Sequence, residues 1–257
     1  MDAPFYRVYR TARAGEEFPH WGPYHLSWLA GSALFLVLLL IVYRRSGTRA
    51  RRGILLTLTG LLTADELFKH AMLLLLGEEG ADYLPLHLCS VGLFVCLWYA
   101  VKPGVLPGEL LYAVSLPGAA VALLFPGWSD LPPESFLTVH SFTFHLLLAA
   151  IPLCLLVSGE IRPRAKRLWF CAAFLLVTAV PVWLVDRKYG TNFYFLTYPG
   201  RGNPLELFAR VFGDPGYQIG LPVCTALLWL GMYGIPALMR RIFRNTNLKL
   251  KRVNAAS

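Results

Sequence analysis

Inside long apolar stretches of this chain stand residues whose types fit acid–base and acyl-transfer chemistry. The run Thr-Ala-Asp-Glu-Leu-Phe-Lys-His over 63–70 puts Asp65, Glu66, Lys69 and His70 within about one and a half helical turns. Asp65 with Lys69 and Glu66 with His70 are four residues apart, so one helix would let them neutralise each other. Leu-Pro-Leu-His-Leu-Cys-Ser over 84–90 supplies His87 and Cys89, and the stretch from Ser135 supplies Thr138, His140, Ser141, Thr143 and His145. An imidazole in such a place is a general base, a thiol or hydroxyl beside it a nucleophile, and a carboxylate orients the ring. Thr138, Ser141 and His145 share one helical face, while His140 points about 140° away from His145, which makes His145 the expected base. His87 and Cys89 lie about 200° apart if their helix begins regularly, so only one of them can face a common pocket. The competing reading is structural, because a buried His or Ser in a membrane helix often only bonds its neighbour, and a free Cys is commonly core filler.

The elements that must position these residues are membrane helices. Of 257 residues, 56% are hydrophobic and only 15% charged, and the mean hydropathy is +0.52. Apolar runs such as Leu26 to Val42 and Leu168 to Val185 approach the ~20 residues that cross a bilayer, which excludes an ordinary soluble domain. Windows of that length predict an all-α polytopic bundle of about seven spans in a single domain over 1–257, at 24–43, 53–76, 84–101, 107–126, 136–157, 168–186 and 217–238. The formal charge of +9 belongs to the connectors: sixteen Lys and Arg follow spans one, three, five and seven, seven lie on the other side, and Lys69 is within span two. The positive-inside rule then puts the N-terminus outside, the basic tail 239–257 in the cytoplasm and the protein in the cell membrane, and removes nucleic acid as a partner. The polar residues of spans two, three and five all fall in the outer half, next to an outer connector over 187–216 that is too long for a plain link. Ionisable groups at that depth cost several kcal/mol unless they face protein or water, so their coincidence predicts one site. His145, Cys89, His87 and Glu66 are its expected catalytic groups, with Ser141, His140, Arg187, Asn192 and Tyr194 around the substrate. The five cysteines show no CxxC pair or metal-ligand spacing, so neither a disulfide framework, a metal nor another cofactor is expected. Glu16 and Glu17, and the lack of a small-residue cleavage site after the first apolar run, predict that the first span is retained.

The motif at 84–90, the His-x4-His of 140–145 followed by a Leu-rich run and Pro152, and Thr-Asn-Phe-Tyr-Phe-Leu at 191–196 with Pro-Gly-Tyr at 215–217 occur in order along the chain. With them the chain resembles the YwaF family of bacterial integral membrane proteins, which is related to animal transmembrane protein 164. The resemblance covers nearly the whole sequence. It implies about seven helices and, from the animal branch, acyl transfer onto phospholipids by a cysteine and a histidine. The animal pattern has its Cys immediately before the span-three His, where this chain has Leu86; the nearest thiol is Cys89, two residues beyond His87. The histidine before the Leu-rich run and Pro152 matches His145. The expected function is therefore acyl transfer between phospholipids, with membrane phospholipids or lysophospholipids as partners. An outward-facing site cannot draw on cytoplasmic acyl-CoA, so the donor would be another lipid. The alternatives are a proton-coupled transporter using the span-two cluster, a non-catalytic assembly factor, and a metal hydrolase built on His87, His145 and Glu66, for which no spacing speaks.

Overall fold

The computed structural model describes residues 3–200 and 202–238, which fold into helices and connectors without a strand. The basic tail from 239 onward lies outside the described residues. Helix α1 (Pro23–Arg45) starts with proline in its first turn, where no amide is needed, and ends on Arg44 and Arg45. Helix α2 (Thr48–Leu76) stops at Gly77, whose φ of 67° is open to glycine, with the Gly77 and Glu78 amides donating back to the last turn. Helix α3 is Leu88–Val101, α4 is Val105–Leu110, and α5 is Leu116–Leu124. Helix α6 is Phe136–Val157 and α7 is Leu168–Tyr189, the latter closed by Gly190 at φ 71°. A short helix, α8 (Leu205–Phe212), lies in the 187–216 connector, and α9 (Gly220–Trp229) begins the last span.

Among the described residues, five stretches are long and apolar enough to cross a membrane: Pro23–Arg45, Val105–Leu124, Phe136–Val157, Ala165–Tyr189 and Gly216–Leu238. The other two expected spans are helical but differ in kind. Helix α2 has 29 residues and carries the Asp65–His70 cluster, whereas α3 has 14 residues, short of the ~20 a full crossing takes. The sequence expectation began α3 near Leu84; the helix begins at Leu88, because Pro85 forces Leu84 out of the helical region and His87 takes an extended N-cap conformation (φ −60°, ψ 147°).

Helix α6 is the hub, packing on α1, α2, α3 and α5. One core, centred on Tyr43, Leu62, Cys96, Leu111, Leu148 and Ile151, fills the middle and the basic end of the bundle. A second, with Val8, Phe18, Trp128, Phe136 and Phe142, is capped by the N-terminal segment, whose Phe18 amide bonds the Ser129 carbonyl at 3.0 Å. Helices α1 and α7 and the last span leave large apolar side chains exposed, among them Leu34, Val37, Leu176, Val177, Leu227 and Leu230, as a lipid-facing perimeter requires.

Two prolines shape the join between the Val105–Leu124 and Gly216–Leu238 spans. Each falls where a π-turn interrupts the helix, Leu111–Ser115 before Pro117 and Leu230–Gly234 before Pro236. Pro117 lacks the amide an α-helix would offer the Ala113 carbonyl, and Trp229 Nε1 of the other span donates to that oxygen at 2.7 Å. Pro236 does the same to Met232, and the Tyr112 hydroxyl donates to that carbonyl at 2.8 Å. Each helix thus satisfies the backbone group that the partner's proline leaves without its α-helical amide.

Candidate functional site

The cluster on α2 faces α6. Glu66 and Lys69, both buried, pair at 2.7 Å, and His70 Nε2 lies 3.5 Å from the same Glu66 oxygen. Asp65 reaches across to α6, where the Thr143 hydroxyl donates to it at 3.1 Å. His140 sits between the carboxylates, its Nδ1 3.1 Å from Asp65 and its Nε2 3.7 Å from Glu66, with Nδ1 off the direction of a good hydrogen bond. This corrects the i,i+4 pairing expected of Asp65 and Lys69. Lys69 turns to Glu66 instead, since Asp65 is already engaged by a donor and an imidazole of the neighbouring helix. His140, expected to point away from His145, meets Asp65 and Glu66 because α2 packs on the α6 face that His140 presents.

His145 occupies a different setting on the same helix. Its Nδ1 is 2.6 Å from the Ser141 carbonyl, an oxygen that only accepts, so Nδ1 carries the proton and Nε2 the lone pair of the neutral ring. The ring stacks on Trp128 (centroids 5.0 Å apart, planes at 16°), which fixes its plane. Among the described residues no hydrogen bond engages Nε2, and the residue is only partly buried. His140, His87 and Glu66 all lie within electrostatic reach of His145, and Glu66 and Lys69 within reach of His87. Thus α2 and α6 bring His140 and Glu66 together, with His145 further along α6.

The remaining expected residues divide. The imidazole of His87 is exposed and meets the edge of Phe193 at 4.7 Å. Phe193 is held by Asp186, a fully buried carboxylate that accepts from the Thr191 hydroxyl (2.7 Å) and the Phe193 amide (2.9 Å). Cys89 lies beside Gly118 and within reach of Tyr194, and among the described residues no histidine bonds its thiol. Tyr194 takes a positive φ of 57° and has a buried hydroxyl without a hydrogen bond, and burial holds its phenol above the ordinary range. Asn192 spends its amide inside the loop, accepting from the Thr197 and Tyr198 amides and donating to the Tyr198 carbonyl, so it is a loop clamp rather than a free donor. Arg187 is exposed over the Trp183 ring. Ser141 acts through its backbone carbonyl on His145, while Thr138, fully buried, donates to the Pro132 carbonyl at 2.8 Å.

Sequence reasoning missed His25, fully buried, whose Nδ1 accepts from the Trp21 amide and whose Nε2 donates to the Leu123 carbonyl at 2.8 Å. Both nitrogens are used, so this histidine ties α1 to the end of α5. Nothing in local spacing signals a bond between residues 98 apart. Among the described residues no group of three or more His, Cys, Asp and Glu is arranged to hold a metal ion.

No curated protein and no solved structure matched the chain. A family model did, over residues 20–233, a stretch that holds every residue of the site. The family it describes accords with the relationship to transmembrane protein 164 noted from the motifs, while the narrower bacterial name rests on that resemblance alone. The chain belongs to the TMEM164 family.

Proposed function

We propose that this integral membrane protein transfers acyl chains between phospholipids. The observation that carries the reading is His145, an imidazole whose tautomer is set by the Ser141 carbonyl and whose plane is set by Trp128, with a basic Nε2 left for substrate. In this mechanism Nε2 takes the proton from the hydroxyl of a lysolipid acceptor. That oxygen attacks the ester carbonyl of a donor phospholipid, and a tetrahedral oxyanion forms. Collapse breaks the donor ester, and His145 returns the proton to the departing lysolipid oxygen. His87, exposed beside Phe193, is assigned as the donor to the developing oxyanion in this scheme. The Glu66–Lys69 pair, with His140 between the two carboxylates, fixes the charge around the ring. Cys89 is set aside as nucleophile, since among the described residues no imidazole bonds its thiol to activate it. By the positive-inside rule the His145 end faces outward.

The test is acyl exchange by purified protein in vesicles holding labelled phospholipid and unlabelled lysolipid. His145→Ala is expected to lower the rate by about 10²- to 10⁴-fold, and an unchanged rate overturns the mechanism.

A second reading rests on a separate observation. The buried ionic network Asp65, Glu66, Lys69 and His140 joins two helices, as a proton relay in a carrier would. Proton-driven uptake into liposomes, lost in Glu66→Gln and intact in His145→Ala, would select it over acyl transfer.

A further inference from the structure

The opposite end of the bundle holds a cavity that the mechanism does not use. It measures about 480 Å³ and lies between the α3–α4 and α6–α7 connectors, lined by Arg162, Arg164, Arg167, Glu109 and Glu160 among others. Its charges are not evenly matched. Arg167 is tied to buried Glu109 at 2.8 Å, and the Glu109 carboxylate is completed by the Arg164 amide and the Tyr233 hydroxyl. Glu160 takes the Tyr43 hydroxyl at 3.1 Å. Among the described residues no acid pairs with the guanidinium of Arg162 or of Arg164, and both side chains are exposed. Two forked cations therefore stand at a preformed hollow whose lining holds three arginines against two carboxylates, a positive surplus suited to the oxygens of a phosphoester.

The walls say which phosphoester. Val105, itself part of the lining, is 54% exposed, and its chain neighbour Leu106 and nearby Trp169 are 45% and 72% exposed. Val105 lies at the hollow itself and, with Leu106, opens a span apolar enough to cross a membrane, so acyl chains could run along these side chains while the headgroup sits in the hollow. A soluble phosphate would gain nothing from them.

We propose that this cavity binds the phosphate of an anionic phospholipid, gripped by Arg162 and Arg164 between the α3–α4 and α6–α7 connectors. The site is separate from His145, and its failure would leave the acyl-transfer reading untouched.

The experiment is a binding titration of the purified full-length protein in neutral micelles with phosphatidylglycerol, phosphatidylcholine or inorganic phosphate. The expected result is phosphatidylglycerol at least tenfold tighter than phosphatidylcholine, with inorganic phosphate only a weak competitor. Arg162→Gln with Arg164→Gln should weaken phosphatidylglycerol roughly 30-fold, the effect of two basic side chains beside an anionic headgroup. Arg44→Gln with Arg45→Gln, which alters the last turn of α1, should stay within twofold. Equal affinity for the two lipids in the unaltered protein overturns the proposal whether or not the variants fold. So does an equal loss in the Arg44/Arg45 variant, which would mean diffuse surface charge. Inorganic phosphate binding as tightly as phosphatidylglycerol would reassign the site to a soluble ligand and overturn the lipid.

Discussion

Glu66 and Glu109 are both carboxylates buried in helices of one bundle, 5% and 2% exposed, yet their surroundings assign them opposite work. Glu109 is saturated: Arg167, the Arg164 amide and the Tyr233 hydroxyl take its oxygens, and its cation partner stays charged at any physiological pH. Glu66 shares its oxygens among Lys69, His70 and His140, two of them imidazoles, which carry both donor and acceptor nitrogens. The first arrangement is a clamp between connectors. The second spans α2 and α6, the helix that also carries His145. What separates a structural from a chemical buried acid here is therefore the set of partners, not depth or residue type.

That contrast can be broken in graded ways. The largest expected effect is at Glu109. Glu109→Gln leaves Arg167 without its counter-charge and should lower unfolding stability by about 3 kcal/mol in a detergent thermal melt, with specific acyl exchange by the folded fraction unchanged. Glu66→Gln leaves buried Lys69 without its carboxylate and should cost a similar amount, about 3 kcal/mol, but should also reduce acyl exchange by the folded fraction at least tenfold; an unchanged exchange rate would erase the distinction. Trp229→Phe removes the indole that serves the Ala113 carbonyl and should cost about 1 kcal/mol without touching activity. Thr143→Val, which removes one hydroxyl bond to Asp65, should cost about 0.6 kcal/mol in the same melt. Cys89→Ser should leave the exchange rate within about threefold, and a loss approaching that of His145→Ala would restore the thiol as nucleophile.

Much of the architecture was legible because lipid imposes a length and a polarity on every crossing helix. The windows at 24–43, 136–157 and 168–186 match α1, α6 and α7 closely for that reason. The start of α3 was misplaced by about one turn, since a proline permitted in a first helical turn can equally precede the helix. The α6 periodicity put Ser141 under His145, and the structure adds that the carbonyl, not the hydroxyl, makes the contact. The same periodicity turned His140 away from His145, which holds geometrically. It could not reveal that α2 packs on the other side and brings Asp65 and Glu66 to that ring.

By itself the sequence determined a lipid-embedded helical chain, the depth of its polar residues and which of them share a helix face, because hydropathy and the helical repeat are local properties. Only the tertiary structure decided that Lys69 pairs with Glu66, that His25 bonds a carbonyl 98 residues away, that Cys89 lies beside Gly118, and that two proline-interrupted helices exchange aromatic donors. Those outcomes depend on which helix lies against which, and on how far each rotates about its axis. Neither quantity is written in the spacing of residues along one helix.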